Sequence, residues 1–192
     1  MSYLILGLAL FLGAHSVRIF AEGWRTQTVQ RLGEGGWKGL HSAVSLVGFG
    51  LIIWGFGLAR QQPVLLWSPP SGMRHLAALL MLVSFVLLAA AYVPGNRIKA
   101  RLRHPMVLGV KVWALAHLLA NGQLLHLILF GAFLVWAVLD FRAARQRDRL
   151  QQAMATTGTA AATGITLALG VVTWLVFTFW LHGLLIGVRP LG

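Results

Sequence analysis

Seven histidines, four carboxylates and no cysteine set the chemistry open to this 192-residue chain. His15, His41, His75, His104, His117, His126 and His182 stand within or at the edges of long apolar runs. The carboxylates Glu22, Glu34, Asp140 and Asp148 fall in the polar connections or beside them. No carboxylate pair is therefore placed for acid–base work inside an apolar span. An oxygen cage for a hard cation is equally absent. Without cysteine there are no disulfides, thiolate ligands or thiol nucleophiles. Imidazole remains, and imidazole suits transition metals. Zinc asks for three or four ligands close together. Haem iron asks for one or two axial histidines in an apolar pocket. Phe11, Trp54, Phe85, Trp113, Phe130 and Phe133 offer walls for such a pocket. The plainer alternative is a lone helical histidine that hydrogen-bonds a neighbouring helix.

Spacing sorts these residues further. Val110, Trp113, His117 and Asn121 follow the i, i+3, i+4 rule and share one helix face. His117 then meets an aromatic wall and an amide. Lys111 lies about 120° round the same helix, below His104, where it either snorkels to headgroups or pairs with an anionic group of a ligand. His15 and Arg18 are i, i+3 neighbours, and Arg18 reads equally as an interfacial anchor. Trp24, Trp37, Trp67, Trp136 and Trp180 lie at span ends, as an interfacial belt requires. Gly48, Gly50, Gly55 and Gly57 permit close helix approach.

The elements that must position these side chains are membrane helices. The apolar runs cover about residues 3–20, 37–58, 75–93, 106–120, 124–139 and 163–187. Most have the length that crosses a bilayer core as helix, at ~1.5 Å per residue. Alternate connections collect Arg18, Arg25, Arg31, Lys38, then Arg97, Lys99, Arg101, Arg103, then Arg142, Arg145, Arg147, Arg149. The other side receives only Arg60, Arg74 and Arg189. This asymmetry predicts an all-α, polytopic bundle of six transmembrane helices, with the basic side cytoplasmic and both termini external. A single helix from Arg103 to Asp140 would be roughly 55 Å long and would erase the asymmetry. The Asn121-Gly122 pair instead predicts a turn there. Residues 143–154, AARQRDRLQQAM, read as a helical extension of the fifth span beyond the membrane. The whole chain, 1–192, reads as one integral membrane domain, with its first apolar run retained rather than cleaved as a signal peptide. The net charge of +12 is explained by topology and by anionic headgroups. Nucleic acid is excluded as a partner, since no soluble domain is left to bind it.

Three segments carry a family resemblance: FLGAHSVRIF (11–20), RLGEGGWKGLHSAVSLVGFGLIIWGFG (31–57) and RHPMVLGVKVWALAHLLANG (103–122). They resemble the NnrU family of integral membrane proteins, across nearly the whole chain. That family includes the plant zeta-carotene isomerase branch, which binds haem b and isomerises a linear carotene. NnrU itself is associated with nitrite and nitric oxide reduction in denitrifying bacteria. The resemblance implies a multi-pass protein of the bacterial inner membrane, surrounded by lipid, with haem b as cofactor. It further implies either a carotenoid-like apolar substrate or nitrogen-oxide enzymes as partners, and isomerase or oxidoreductase chemistry. The haem-ligand histidines of the isomerase branch correspond to His15 and His117. Arg18, His104, Lys111, Trp113 and Asn121 are the expected cofactor contacts around them. Where that branch has a cysteine three positions before the second histidine, this chain has Ala114.

Depth groups the histidines differently. His15 and His117 differ in depth by ~15 Å if both helices stand upright. By depth, His117 groups with His126 and His182, and His15 with His41 and His104. His126, His182 and His41 are therefore the alternative ligands. Two other classes stay open. One is a cofactor-free assembly or sensor protein. The other is a membrane methyltransferase using S-adenosylmethionine, suggested by Arg103-His104-Pro105 followed by Gly109. Against it, Leu124–Leu139 contains no Glu pair.

Overall fold

A computed structural model describes residues 1–152 and 157–191 of the chain. The helices are α1 (Ser2–Phe20), α2 (Glu22–Ala59), α3 (Met73–Tyr92), α4 (Arg97–Leu102), α5 (Pro105–Ala120), α6 (Leu124–Leu150) and α7 (Ala160–Ile186). A π-helical turn, Phe177–Leu181, interrupts α7. Five of these, α1, α2, α3, α6 and α7, are long and apolar enough to cross a membrane. α5 is apolar but has 16 residues. That is roughly 24 Å of helix, short of a ~30 Å hydrocarbon core. Large apolar side chains lie exposed along the helices, among them Leu46, Ile53, Leu79, Val135, Val172 and Leu184. Such a surface is suited to lipid rather than water.

The helices stack in the series α2, α1, α6, α5, α3, α7, each packed on the next. Contacts at the two ends of the bundle establish the alternation of direction. At one end Arg147 donates to the Arg18 carbonyl at 3.2 Å, His104 meets Asp148 at 3.0 Å, and Arg97 Nε donates to the Gly158 carbonyl at 3.3 Å. At the other end Arg60 donates to the Ile186 carbonyl at 2.7 Å. The ends of α1 and α7 that carry the chain termini lie at this second end. All three basic clusters lie at the first.

α5 and α6 form a hairpin broken at Asn121-Gly122, as the turn pair predicts. The turn is laced to the connection between α2 and α3. Leu66 N donates to Gly122 O at 2.8 Å and Leu124 N to Val64 O at 2.9 Å. A Cβ at position 122 would collide with the Trp67 carbonyl, so glycine is needed there.

One expected boundary moves. The region 21–36, expected as a connection, is helical from Glu22. The helix is broken only at Gly33, whose φ of 71° and ψ of 166° lie outside helical space. Glycine alone adopts this conformation without cost, which is why the break falls there. Short-range ion pairs support the two halves: Glu22 with Arg25 at 3.2 Å and Glu34 with Lys38 at 3.0 Å. The break folds the Glu22–Leu32 segment back, so Trp24 meets Trp37 at 5.8 Å and Arg25 lies over the Trp37 ring. The expected extension of the fifth span is present, as α6 continues to Leu150. Ala153 and Met154 of that expectation lie outside the described residues.

α1 and α2 approach most closely through glycine. A Cβ at Gly48 would stand 2.7 Å from Phe11 N. Gly50 and Gly57 face open space instead. The buried core joins Leu4, Leu8, Ile52, Ala59, Ala114, Leu125, Leu129 and Phe130. These residues come from α1, α2, α5 and α6, the four helices that also carry His15, His41, His117 and His126.

Candidate functional site

α1, α2, α5 and α6 enclose a cleft of about 600 Å³ at the basic end of the bundle. His15 and Arg18 line it from α1, Trp37, Lys38 and His41 from α2, and Trp136, Asp140 and Arg147 from α6. His104 closes it at the start of α5. His15 stacks on Phe11 with ring centroids 4.3 Å apart and meets His41 edge-on at 4.9 Å. Trp136 stands perpendicular to it at 6.1 Å.

The orientation of His15 is chemically determined. Its Nδ1 lies 2.7 Å from the Phe11 carbonyl, one helical turn back. A carbonyl only accepts, so Nδ1 carries the proton and donates. In the neutral ring Nε2 is then left with its lone pair. This is the arrangement by which a metal-ligating imidazole is held in one tautomer by an outer partner. Trp136 lines the cleft, while its indole Nε1 is buried and has no hydrogen-bond partner among the described residues.

His104, expected as a cofactor contact, is engaged. Its Nε2 lies 3.0 Å from Asp148 Oδ2, and Arg103 reaches the same oxygen at 3.5 Å. Burial pushes the Asp148 carboxyl up. The His104 hydrogen bond and the charges of His104 and Arg103 outweigh it and hold the carboxyl below its ordinary pKa. Lys111, expected near a ligand anion, places its ammonium 4.9 Å from the centre of the Phe141 ring. Arg18 lines the cleft and also pairs with Glu22 at 3.6 Å.

His117 belongs to a second group, toward the opposite end. Its Nδ1 donates to the Trp113 carbonyl at 2.9 Å, again leaving Nε2 with the lone pair. Its ring stacks on Phe130 at 4.5 Å, and His126 stacks near Phe130 at 6.0 Å. His182, near the end of α7, places its Nδ1 2.6 Å from the Val188 carbonyl. Asn121 Nδ2 donates to the His117 carbonyl at 2.8 Å and finishes the last turn of α5. Trp113 contacts His117, Phe130 and Phe133. His126 Nδ1 is buried without a partner among the described residues. His75 stands apart, exposed at the start of α3. The two groups are joined by aromatic rings: Phe11 meets Phe133 at 5.9 Å, and Phe133 meets Trp113 at 5.3 Å. Ala114 is fully buried. Among the described residues no three histidine or carboxylate side chains converge to hold a metal ion.

A family model described as NnrU protein matches residues 3–190. The chain belongs to the NnrU family. No curated protein and no solved structure matches it. The membrane-type helices and the cleft at their basic end are thus features of an NnrU chain.

Two parts of the NnrU cleft escape sequence reasoning. Trp37 and Trp136 read as interfacial belt residues, yet both are walls of the cleft. Their signal lies in spacing. Trp136, Asp140, Ala144, Arg147 and Gln151 recur at three- and four-residue steps, so one stripe of α6 faces the cleft. Trp37 and His41 make the same i, i+4 step on α2.

Proposed function

We propose that this chain is a haem b-binding protein of the bacterial inner membrane that serves nitrogen-oxide respiration. The observation that carries the reading is His15: an imidazole tied by Nδ1 to its own helix, with Nε2 left as a lone-pair ligand in a 600 Å³ cleft. The donor set fits haem. One fixed imidazole suffices as an axial ligand, whereas a protein-ligated zinc ion needs three or four groups together. Trp37 and Trp136, with Met106, Val107 and Val110, give the apolar walls that a porphyrin needs. Arg18, Arg25, Lys38 and Arg147 give cations where its carboxylates would lie.

In this reading His15 would hold the haem iron. His41 is the nearest second imidazole, and His117 is the second ligand implied by resemblance. When bound, haem b supplies a redox-active iron able to take a small nitrogen oxide. The residues of the chain do the rest. The Phe11 carbonyl holds the His15 proton on Nδ1 and keeps Nε2 basic. The aromatic walls exclude water. The basic rim draws an anion such as nitrite toward the cleft by long-range attraction. That rim favours nitrogen-oxide chemistry over isomerisation of an apolar substrate, which would call for an opening lined by hydrocarbon. The excess of Lys and Arg at this end supports a cytoplasmic orientation for the cleft.

An absorption spectrum of detergent-purified protein, expressed with haem precursor, tests this. A Soret band with a haem b hemochrome is the expected result. A chain that stays colourless after haem is added back supports instead the cofactor-free assembly or sensor reading.

A further inference from the structure

A second cavity, of about 480 Å³, lies beside the cleft at the same end of the bundle. Arg101 and Arg103 line it from the end of α4, and Arg145, Asp148, Arg149 and Gln152 from the end of α6. Four guanidinium groups thus surround one carboxylate. That carboxylate is already shared by His104 at 3.0 Å and Arg103 at 3.5 Å. The guanidinium groups of Arg101, Arg145 and Arg149 have no ion pair or hydrogen bond among the described residues. Topology alone asks only that basic residues lie on one side of the membrane. It does not ask that four from two separate helices converge on one cavity.

The backbone is shaped to bring them together. Arg145 and Arg149 are i, i+4 neighbours on one face of α6. Arg103 has a φ of 65°, a conformation that side chains other than glycine rarely adopt. It is held by Arg103 N donating to Lys99 O and His104 N donating to Leu102 O, both at 2.8 Å. This reversal after α4 turns Arg103 toward Asp148 and α6. Like charges gathered in this way repel unless an anion lies between them. Guanidinium groups recognise phosphate oxygens by paired hydrogen bonds. Basic pockets between helices at a membrane edge are suited to acidic headgroups.

We propose that this cavity is a binding site for a phosphate-bearing anion, carried by an acidic phospholipid headgroup or present as free phosphate. The test is calorimetric titration of the detergent-solubilised full chain with three probes: dioctanoyl-phosphatidylglycerol, dioctanoyl-phosphatidylcholine and inorganic phosphate. Saturable binding of phosphatidylglycerol well above phosphatidylcholine supports the site with a lipid source. Inorganic phosphate binding as tightly as phosphatidylglycerol supports it with a soluble source. In either case Arg145→Gln/Arg149→Gln should weaken binding about 25-fold, about 5-fold for each guanidinium removed. Arg31→Gln/Arg142→Gln, which removes equal charge outside the cavity, should leave binding within 2-fold. If the double variant at the cavity does not fold, Arg149→Gln alone, at an exposed position, should show the 5-fold loss. Equal binding of the two lipids without saturable binding of inorganic phosphate overturns the proposal, as does unchanged binding in the cavity variant. So does an equal loss in the control variant, since diffuse charge would then explain the affinity.

Discussion

Gly48→Ala should destabilise the bundle, while Gly50→Ala, two residues on, should not. Both changes add one methyl group to α2 and both raise helix propensity. At Gly48 the new Cβ would lie 2.7 Å from Phe11 N and 3.0 Å from Phe11 Cα. An ordinary contact begins near 3.4 Å, so α1 and α2 must part by about 0.7 Å at this level. The obstacle is backbone on both sides and no rotamer change relieves it. Overpacking of this kind costs roughly 1–3 kcal/mol. At Gly50 nothing lies within 4 Å. There the gain in helix propensity is all that remains, up to roughly 1 kcal/mol of stabilisation. The two variants should therefore move in opposite directions in a mixed-micelle SDS unfolding titration. A second consequence follows from Phe11, whose carbonyl holds His15 and whose ring stacks on it. Displacing Phe11 should weaken haem retention in Gly48→Ala and leave it unchanged in Gly50→Ala. A Gly48→Ala protein as stable as the native chain would refute the close-approach argument.

Three other outcomes are expected. Phe130→Ala removes a buried ring that contacts His117, His126 and Trp113, and should cost roughly 2–4 kcal/mol in the same titration, since three ring contacts and a cavity are involved; a loss below 1 kcal/mol would contradict it. Asp148 has its carboxyl held below the ordinary value, so its stabilising contact is present at neutral pH and is lost as pH falls from about 4 through that lowered pKa. Asp148→Asn should be less stable than the native chain at pH 7, with the difference vanishing toward pH 2; a difference that grows on acidification would reverse the sign argument. On this cysteine-free chain, a cysteine at position 99 should react with an impermeant maleimide only after cells are opened, and one at position 68 in intact cells; the opposite pattern would invert the topology.

Much of the fold is written in periodicity and punctuation. Asn121-Gly122 marks a reversal because a helix through it would be too long for a membrane, and the chain does turn there. The early start of α2 is harder to see. Glu22–Gly36 looks like a polar connection by composition. Its ion pairs at helical spacing and a single glycine break let it continue as helix instead. Site residues divide along similar lines. His15 and His117 stand out as imidazoles in hydrocarbon. Their hydrogen bonds to Phe11 and Trp113 follow from the i−4 geometry of any helix. Which histidines share a cleft depends on the packing order of α2, α1, α6 and α5, and no local pattern encodes that order. Trp37 and Trp136 illustrate the same limit. A tryptophan at a span end serves equally as a belt residue or as a cleft wall, and only the neighbouring helix decides.

The most direct measurement is the visible spectrum of His15→Ala beside the native chain, both titrated with haem b in detergent. His41→Ala and His117→Ala are run in parallel. His15 lines the cleft, and its bond to the Phe11 carbonyl leaves Nε2 of the neutral ring free to ligate. The native chain should bind haem with a sharp Soret band. His15→Ala should lose the band or bind at least tenfold more weakly while remaining folded. Whichever of the other two variants turns the spectrum high-spin and five-coordinate carries the second ligand. A His15→Ala protein with the native spectrum and native affinity would contradict the account.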